Sequence, residues 1–191
     1  MQMPGSIKVL FLWTRANIYE AIAACDKVIE INPHDAEAWG NKGNALCHQG
    51  KYDEAIRAYD RAIEIDPEYA SDWHNKGLAL YTQGKYDEAI VAYDKAIEIN
   101  PQLAEAWNNK GLALVAEGKY DEAIAAWDKA TEIDPEYADA WYNKGLALYE
   151  QGKYDEAIRA YDKAIEINPE YADAWNNKGL ALVDQGKYDE A

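Results

Sequence analysis

Cysteine is scarce: the chain of 191 residues carries two, Cys25 and Cys47. That is too few for a disulfide framework and fits a reducing compartment, so a cytoplasmic location is expected. Positive charge is short as well. Lys and Arg number 19 against 35 Asp and Glu, a formal net charge of −16. Such a surface repels phosphate backbones and anionic headgroups, which argues against nucleic acid and membrane surfaces as partners. Long apolar runs are missing. None is longer than residues 9–13, whereas a membrane helix needs about 20 residues. That run follows Lys8, yet it is shorter than the roughly seven-residue apolar core of a secretory signal, and no small-x-small cleavage pattern follows it. It is therefore not read as a signal. Core material is not lacking. Hydrophobic residues make up 49% and charged residues 28%, which excludes a disordered tail. The length suits one domain, with room for a small second one.

Proline and glycine are few, and their placement is regular. Pro33, Pro67, Pro101, Pro135 and Pro169 are spaced by 34 residues, and of the 6 prolines only Pro4 is off this ladder. Trp39, Trp73, Trp107, Trp141 and Trp175 keep the same step. Gly43, Gly77, Gly111, Gly145 and Gly179 form a third ladder, and Gly50, Gly84, Gly118, Gly152 and Gly186 a fourth. The chain is a tandem array, and arrays of this period are solenoids. Complete units run over 36–69, 70–103, 104–137 and 138–171. A half unit, 16–35, precedes them, and a partial unit, 172–191, follows. Residues 1–15 are out of register and form a divergent N-terminal segment.

Each unit reads as two helices. In 70–103, Trp73, Gly77 and Leu80 share one helical face, and Gly84 stops the first helix in a left-handed conformation. Tyr86, Ala89, Ile90, Tyr93, Ala96 and Ile97 recur at helical spacing in the second half. Asp87 and Glu88 sit in its first turn, and Asn100, forced out of the α region by Pro101, ends it. No stretch alternates with period two, so no sheet is expected. Gly77, Ala89 and Ala96 let the two helices approach as an antiparallel hairpin. One hairpin cannot bury its own apolar face, and stacked copies can.

These residues resemble the tetratricopeptide repeat (TPR) pattern, W-x2-L-G-x2-Y, A-x3-F and P. Trp73, Gly77, Ala89-x3-Tyr93 and Pro101 meet it, and the match covers roughly residues 16–191. Lys42, Lys76, Lys110, Lys144 and Lys178 stand where the family has Leu; a lysine stem can cover apolar surface with its ammonium in water. Leu46, Leu80, Leu114, Leu148 and Leu182 stand in place of Tyr. The resemblance implies an all-α, right-handed superhelical solenoid of antiparallel helix hairpins, with a concave groove lined by first helices that holds partner proteins.

Helical geometry gives the groove arc its residues. In 70–103 they are Ser71, His74, Asn75, Leu78, Tyr81 and Thr82. In the next unit Glu105, Asn108, Asn109, Leu112, Val115 and Ala116 correspond, and then Asp139, Tyr142, Asn143, Leu146, Tyr149 and Glu150. Asn41, Asn75, Asn109, Asn143 and Asn177 form an amide ladder. An amide both donates and accepts, so the ladder suits a peptide backbone of any sequence. It equally suits bonds within the scaffold, and repetition does not choose between the two. The leucine stripe Leu78, Leu112, Leu146 and Leu180 reads as packing between neighbouring first helices. The tyrosines Tyr81, Tyr142 and Tyr149 are better contact candidates. Glu37, Glu105, Asp139 and Asp173 put acid on the arc. TPR domains that clamp acidic chaperone tails carry Lys and Arg there, so the expected ligand is an extended, neutral or basic protein segment.

Chemistry is largely absent from the pattern. His34, His48 and His74 lie on no ladder, and the adjacent Cys47 and His48 point apart on a helix, so no metal site is read. Cys25 occupies the position of Tyr59 and Tyr93 and reads as a buried, inert thiol. Asp53 and Glu54 read as first-turn helix charge. No G-x-S-x-G, Walker or H-E-x-x-H motif occurs. No catalytic residue and no cofactor is assigned. The last unit has a first helix with only the start of its partner, so Trp175 and Leu182 are expected to lack cover. This points to a fragment of a longer array or to end-to-end self-association. The expected function is a non-catalytic interaction scaffold. The alternative is a regulatory or substrate-recruiting arm of a larger enzyme whose catalytic domain is absent from this chain.

Overall fold

The computed structural model describes residues 15–186 and holds ten α-helices and no strand among them. The divergent segment and the last five residues of the partial unit therefore lie outside the described residues, apart from Arg15. The chain divides into two compact bodies, Met1–Lys85 and Tyr86–Ala191. The first contains α1 (Arg15–Ile31), α2 (Ala36–His48), α3 (Tyr52–Ile65) and α4 (Ala70–Thr82). The second contains α5 (Tyr86–Ile99), α6 (Ala104–Ala116), α7 (Tyr120–Ile133), α8 (Ala138–Glu150), α9 (Tyr154–Ile167) and α10 (Ala172–Asp184). Within each body every helix packs on the next, and first helices also touch: α2 with α4, α6 with α8, and α8 with α10.

The helix ends follow from the spaced glycines and prolines. Gly50, Gly84, Gly118 and Gly152 have φ of 73–75°, a conformation that glycine adopts without a Cβ clash. The Lys51 N–H then reaches Leu46 O at 3.0 Å and the Gly50 N–H reaches Cys47 O at 2.9 Å. These two bonds cap the last turn of α2, and Lys85 and Gly84 repeat them on α4. Second helices stop at Asp66, Asp134 and Asn168, which take φ near −130° before proline. There Asp66, Asn100, Asp134 and Asn168 each accept the N–H two residues on, at 3.1–3.2 Å. The turn is thus built by its own side chain.

The hairpin spacing is set by aromatic rings lying on glycines. A Cβ placed on Gly43 would lie 2.5 Å from the Tyr59 ring, one on Gly111 2.6 Å from Trp127, and one on Gly145 2.5 Å from Tyr161. Around each ring the second helix presents alanines with almost no exposure, such as Ala55, Ala123 and Ala157. Small residues on both sides let the backbones close on the ring.

A polar latch recurs on the other side of each first helix. The indole N–H of Trp39, Trp73, Trp107, Trp141 and Trp175 donates to the carbonyl of the proline six residues earlier, at 3.0–3.1 Å. The ladder lysine one turn later lies 5.3–5.5 Å from the same ring. Its ammonium pairs at 2.5–2.7 Å with an aspartate of the preceding second helix: Lys42–Asp26, Lys76–Asp60, Lys110–Asp94, Lys144–Asp128 and Lys178–Asp162. The ammonium is therefore paired and set against the indole, and is not simply left in water. Asp53 also does more than cap its helix. It accepts from Gln83 Nε2 at 2.8 Å and lies 3.7 Å from Lys85 Nζ, and Asp121 makes the same contacts with Gln151 and Lys153.

Of the two residues expected to lack cover, Trp175 is 50% exposed but Leu182 only 4%. Leu182 is buried because α10 packs on both α9 and α8. A Cβ placed on Gly179 would meet no atom of the described residues within 4 Å. Gly145→Ala should therefore lower stability by roughly 1–3 kcal/mol through overpacking on Tyr161. Gly179→Ala should raise it by roughly 0.5–1 kcal/mol through helix propensity. Urea unfolding of the two variants measures this, and equal effects would show that no ring sits on Gly145.

Candidate functional site: the first-helix face

In the second body α6, α8 and α10 lie side by side, and their common face carries the residues singled out by sequence. Glu105, Asp139 and Asp173 are exposed at equivalent first-turn positions of α6, α8 and α10. Tyr142 is half-buried on α8. Its hydroxyl accepts from Asn177 Nδ2 at 2.9 Å, and its ring lies 4.9 Å from Tyr171 and 6.0 Å from Tyr161. Tyr171 donates to Asp139 Oδ1 at 2.8 Å. Tyr149 donates to Asp184 and lies 5.5 Å from the Tyr154 ring. The hydrogen bond to Asp184 pushes the Tyr149 phenol up to about 12. Burial first, and then Asp139, push Tyr171 up as well. Burial, followed by the Asp173 charge, raises Tyr142. All three remain neutral phenols flanked by carboxylates. The lysines of these helices turn to the second helices instead, so this surface combines aromatic rings with acid.

The asparagine ladder lies at the seams between first helices. Asn143 Nδ2 donates to Asn108 Oδ1 at 3.1 Å, and Asn108 Nδ2 donates to Asn109 Oδ1 at 3.2 Å. In the first body Asn75 Nδ2 donates to Asn44 Oδ1 at 3.1 Å. Asn41 is half-buried on α2. The amides of Asn75, Asn143 and Asn177 thus each give a donor to the preceding first helix. His74 is 8% exposed, and Tyr81 is half-buried on α4. Leu112 and Leu146 pack against core clusters, as a packing stripe should, but Leu78 and Leu180 do not follow, being 37% and 48% exposed.

The thiols are not activated. Cys25 is 7% exposed, and burial raises both its pKa and that of Cys47. No group of three or more His, Cys, Asp or Glu among the described residues is placed to hold a metal ion. None of the described helices is long and apolar enough to cross a membrane. Two open clefts, of about 460 and 440 Å³, lie between the helices of two hairpins, at Trp39, Lys42 and Arg57 and at Trp141, Lys144 and Arg159. None of the predicted groove residues lines either cleft.

One residue is not singled out by the sequence pattern. Asp72 is 3% exposed at the seam of α2 and α4, where the other units carry Ala38, Ala106, Ala140 and Ala174. Its only signal in the sequence is a single acid at a position otherwise held by alanine.

Antiparallel hairpins stacked within each body define a helical repeat protein. The chain belongs to the tetratricopeptide repeat family. Models described as "Tetratricopeptide repeat" match residues 24–57, 108–171 and 142–191, and one described as "TPR repeat" matches 43–84 and 77–118. No curated protein matches. Among solved structures, MamA is 28% identical over 83% of this chain and 92% of its own, with a TM-score of 0.77. YrrB, described as "a TPR protein with an unusual peptide-binding site", is 29% identical over 85% of this chain and 84% of its own, with a TM-score of 0.74. PilF of Pseudomonas aeruginosa, 21% identical over 92% of this chain and 80% of its own, shares the fold with a TM-score of 0.80.

Asp72 makes the stability depend on pH. Burial pushes its carboxyl up to about 6, with the Asp66 charge adding to the shift, against 3.8 for the ordinary group. Its charge also bears on the buried Tyr59 phenol. Below about pH 4 both folded and unfolded chains hold the proton, and the group costs nothing. Between about pH 4 and 6 the unfolded chain releases it first, so stability falls, and above pH 6 the cost is complete. Asp72→Ala should therefore stabilise the protein by about 2 kcal/mol at pH 7, allowing for solvent near the seam, and by almost nothing at pH 4. Urea melts across this range check it; a gain independent of pH would contradict it.

Proposed function

We propose that this chain is a non-catalytic protein-interaction module that holds an extended, neutral or basic segment of a partner along its first-helix face. The observation that carries the reading is the composition of that face in α6, α8 and α10: phenols and carboxylates, with the neighbouring lysines tied to Asp94, Asp128 and Asp162. Neutral phenols offer flat apolar area and a polar tip. Glu105, Asp139 and Asp173 favour a cationic segment and oppose an acidic one. The asparagine ladder adds amides along the same face. The peptide-binding site named for YrrB supports this use of the fold.

A cytoplasmic setting is part of the proposal and rests on the two free thiols. Self-association is a second reading, favoured by Trp175, Leu180 and Val183, which are 50%, 48% and 40% exposed on α10. Concentration-dependent sedimentation tests it, and a monomer throughout would dismiss it.

Fluorescence anisotropy with short neutral, basic and acidic peptides tests the main proposal. Basic and neutral peptides should bind, and peptides with acidic C-termini should not. The double variant Glu105→Gln, Asp139→Asn should weaken basic peptides by about three- to tenfold and leave neutral ones unchanged. A preference for acidic peptides would sink the proposal.

A further inference from the structure

Two departures from the repeat meet across one seam. The residue after the ladder tryptophan is Gly40 in α2, where His74, Asn108, Tyr142 and Asn176 stand in the other first helices. The residue before the next tryptophan is Asp72 in α4, where the others have alanine. A Cβ on residue 40 would lie 2.6 Å from Asp72 Oδ1. The carboxylate therefore occupies room that only glycine leaves, and the two residues fit as a pair.

The corresponding seam of α6 and α8 shows what this room normally contains. There the Asn108 amide accepts from Trp127 Nε1 at 3.1 Å and from Asn143 Nδ2 at 3.1 Å, and donates to Asn109. Its polar atoms are supplied by the fold. At the seam of α2 and α4 the matching donors are already engaged. Tyr59 donates its hydroxyl to Asn44 Oδ1 at 2.8 Å, and Asn75 Nδ2 donates to that same oxygen. Lys76, one turn beyond Asp72, is held by Asp60 at 2.6 Å. Asp72 as a residue is 3% exposed, and among the described residues no hydrogen bond or ion pair reaches its carboxylate, whose oxygens are not among the fully enclosed unpartnered atoms and so keep a narrow opening to solvent. A buried carboxylate without a donor destabilises its host, and alanine would serve the packing better. The scaffold supplies this acid no donor, so its donors come from solvent or from a ligand that reaches the opening.

We propose, resting on the reading of the first-helix face as a binding surface, that the Asp72 carboxylate in the Gly40 notch receives an ammonium or guanidinium group of an extended peptide. A cationic side chain supplies the missing donors and the opposite charge together. A divalent metal fits less well, because it needs several oxygen ligands and the notch offers one carboxylate. The position beside Asn41 and Asn44 places this contact next to the amide ladder. It makes the seam of α2 and α4 selective for a basic residue, while the seam of α6 and α8, filled by Asn108, has no such demand.

The test uses the full chain and an Ala/Thr-rich peptide carrying one central lysine, with its Nε-acetyl-lysine counterpart as the uncharged twin. The wild-type protein should bind the lysine peptide about tenfold more tightly than the acetylated one. Asp72→Asn and Asp72→Ala should abolish that difference and leave the acetylated peptide's affinity unchanged. Alanine is native to the four sister positions, so this variant keeps the fold. The lysine peptide should also shift the Asp72 carboxyl ¹³C resonance and lower the pH at which it titrates. A lysine preference that survives both substitutions, or a carboxyl resonance that does not move, overturns the Asp72 site while leaving the groove intact. If neither peptide binds, the groove reading fails. The notch is then judged by n-butylammonium: movement of the same resonance retains it, and silence overturns it.

Discussion

The contact on which the rest depends is an aromatic ring laid against a glycine backbone. Tyr59 on Gly43, Trp127 on Gly111 and Tyr161 on Gly145 leave no space for a Cβ between them. That contact fixes how far apart the helices of a hairpin stand. It also requires alanine on the second helix, because larger side chains would hold the backbones apart. Once the hairpin is so thin, its apolar faces are too large for it to cover alone. The next hairpin must cover them, which is why Ala79 joins the cluster around Tyr59, and Ala140 and Ala147 the cluster around Trp127.

Charge is distributed to serve the same stacking. The lysine ladder links each first helix to the second helix before it, with the indole beneath the ammonium and the proline carbonyl holding the indole. Partly shielded pairs of this kind contribute modestly one by one, but they recur along the ladder and fix the placement of each first helix. They also draw the cations away from the first-helix face. A net charge of −16 thereby becomes a local property: the face of α6, α8 and α10 keeps its carboxylates and phenols without compensating lysines. The electrostatic character attributed to that surface follows from how the scaffold uses its positive charge.

The seams between first helices hold together the face proposed for binding. Asn108, Asn143 and Asn177 are satisfied partly by one another and partly by Tyr142. An amide in a helix interior has poor intrinsic propensity and gains from such tertiary bonds. Tyr171 and Asp139, and Tyr149 and Asp184, reach across to the next hairpin in the same manner. The face is thus held in shape by its own contacts, which would lower the entropy lost in the binding proposed for it. The seam at Gly40 and Asp72 differs, since it contains a carboxylate with no internal donor.

The helices, their ends and the hairpin order are legible in the residues alone. Gly50 and its copies stop first helices, and Asp66 or Asn168 before proline stops second helices, through local backbone sterics that need no distant partner. The buried thiol of Cys25 is legible because it shares a repeat position with Tyr59. The lysine–aspartate pairs are present in the sequence as two ladders offset by a constant spacing, yet the residues alone leave the ammonium in water, because only the packed hairpin brings Asp128 to Lys144. By sequence Leu182 is bare; in the fold it is covered, since α10 rests on two helices at once. The amide ladder is visible in the repeat, but its bonding is not, because residues 35 apart in sequence meet only across a seam. Asp72 shows the limit most clearly: an acid in place of alanine is ordinary in a sequence, and only the neighbouring helix, with Gly40 facing it, turns it into a buried charge. Local backbone chemistry is written residue by residue, whereas the partner of a side chain is decided by which helices the fold sets side by side.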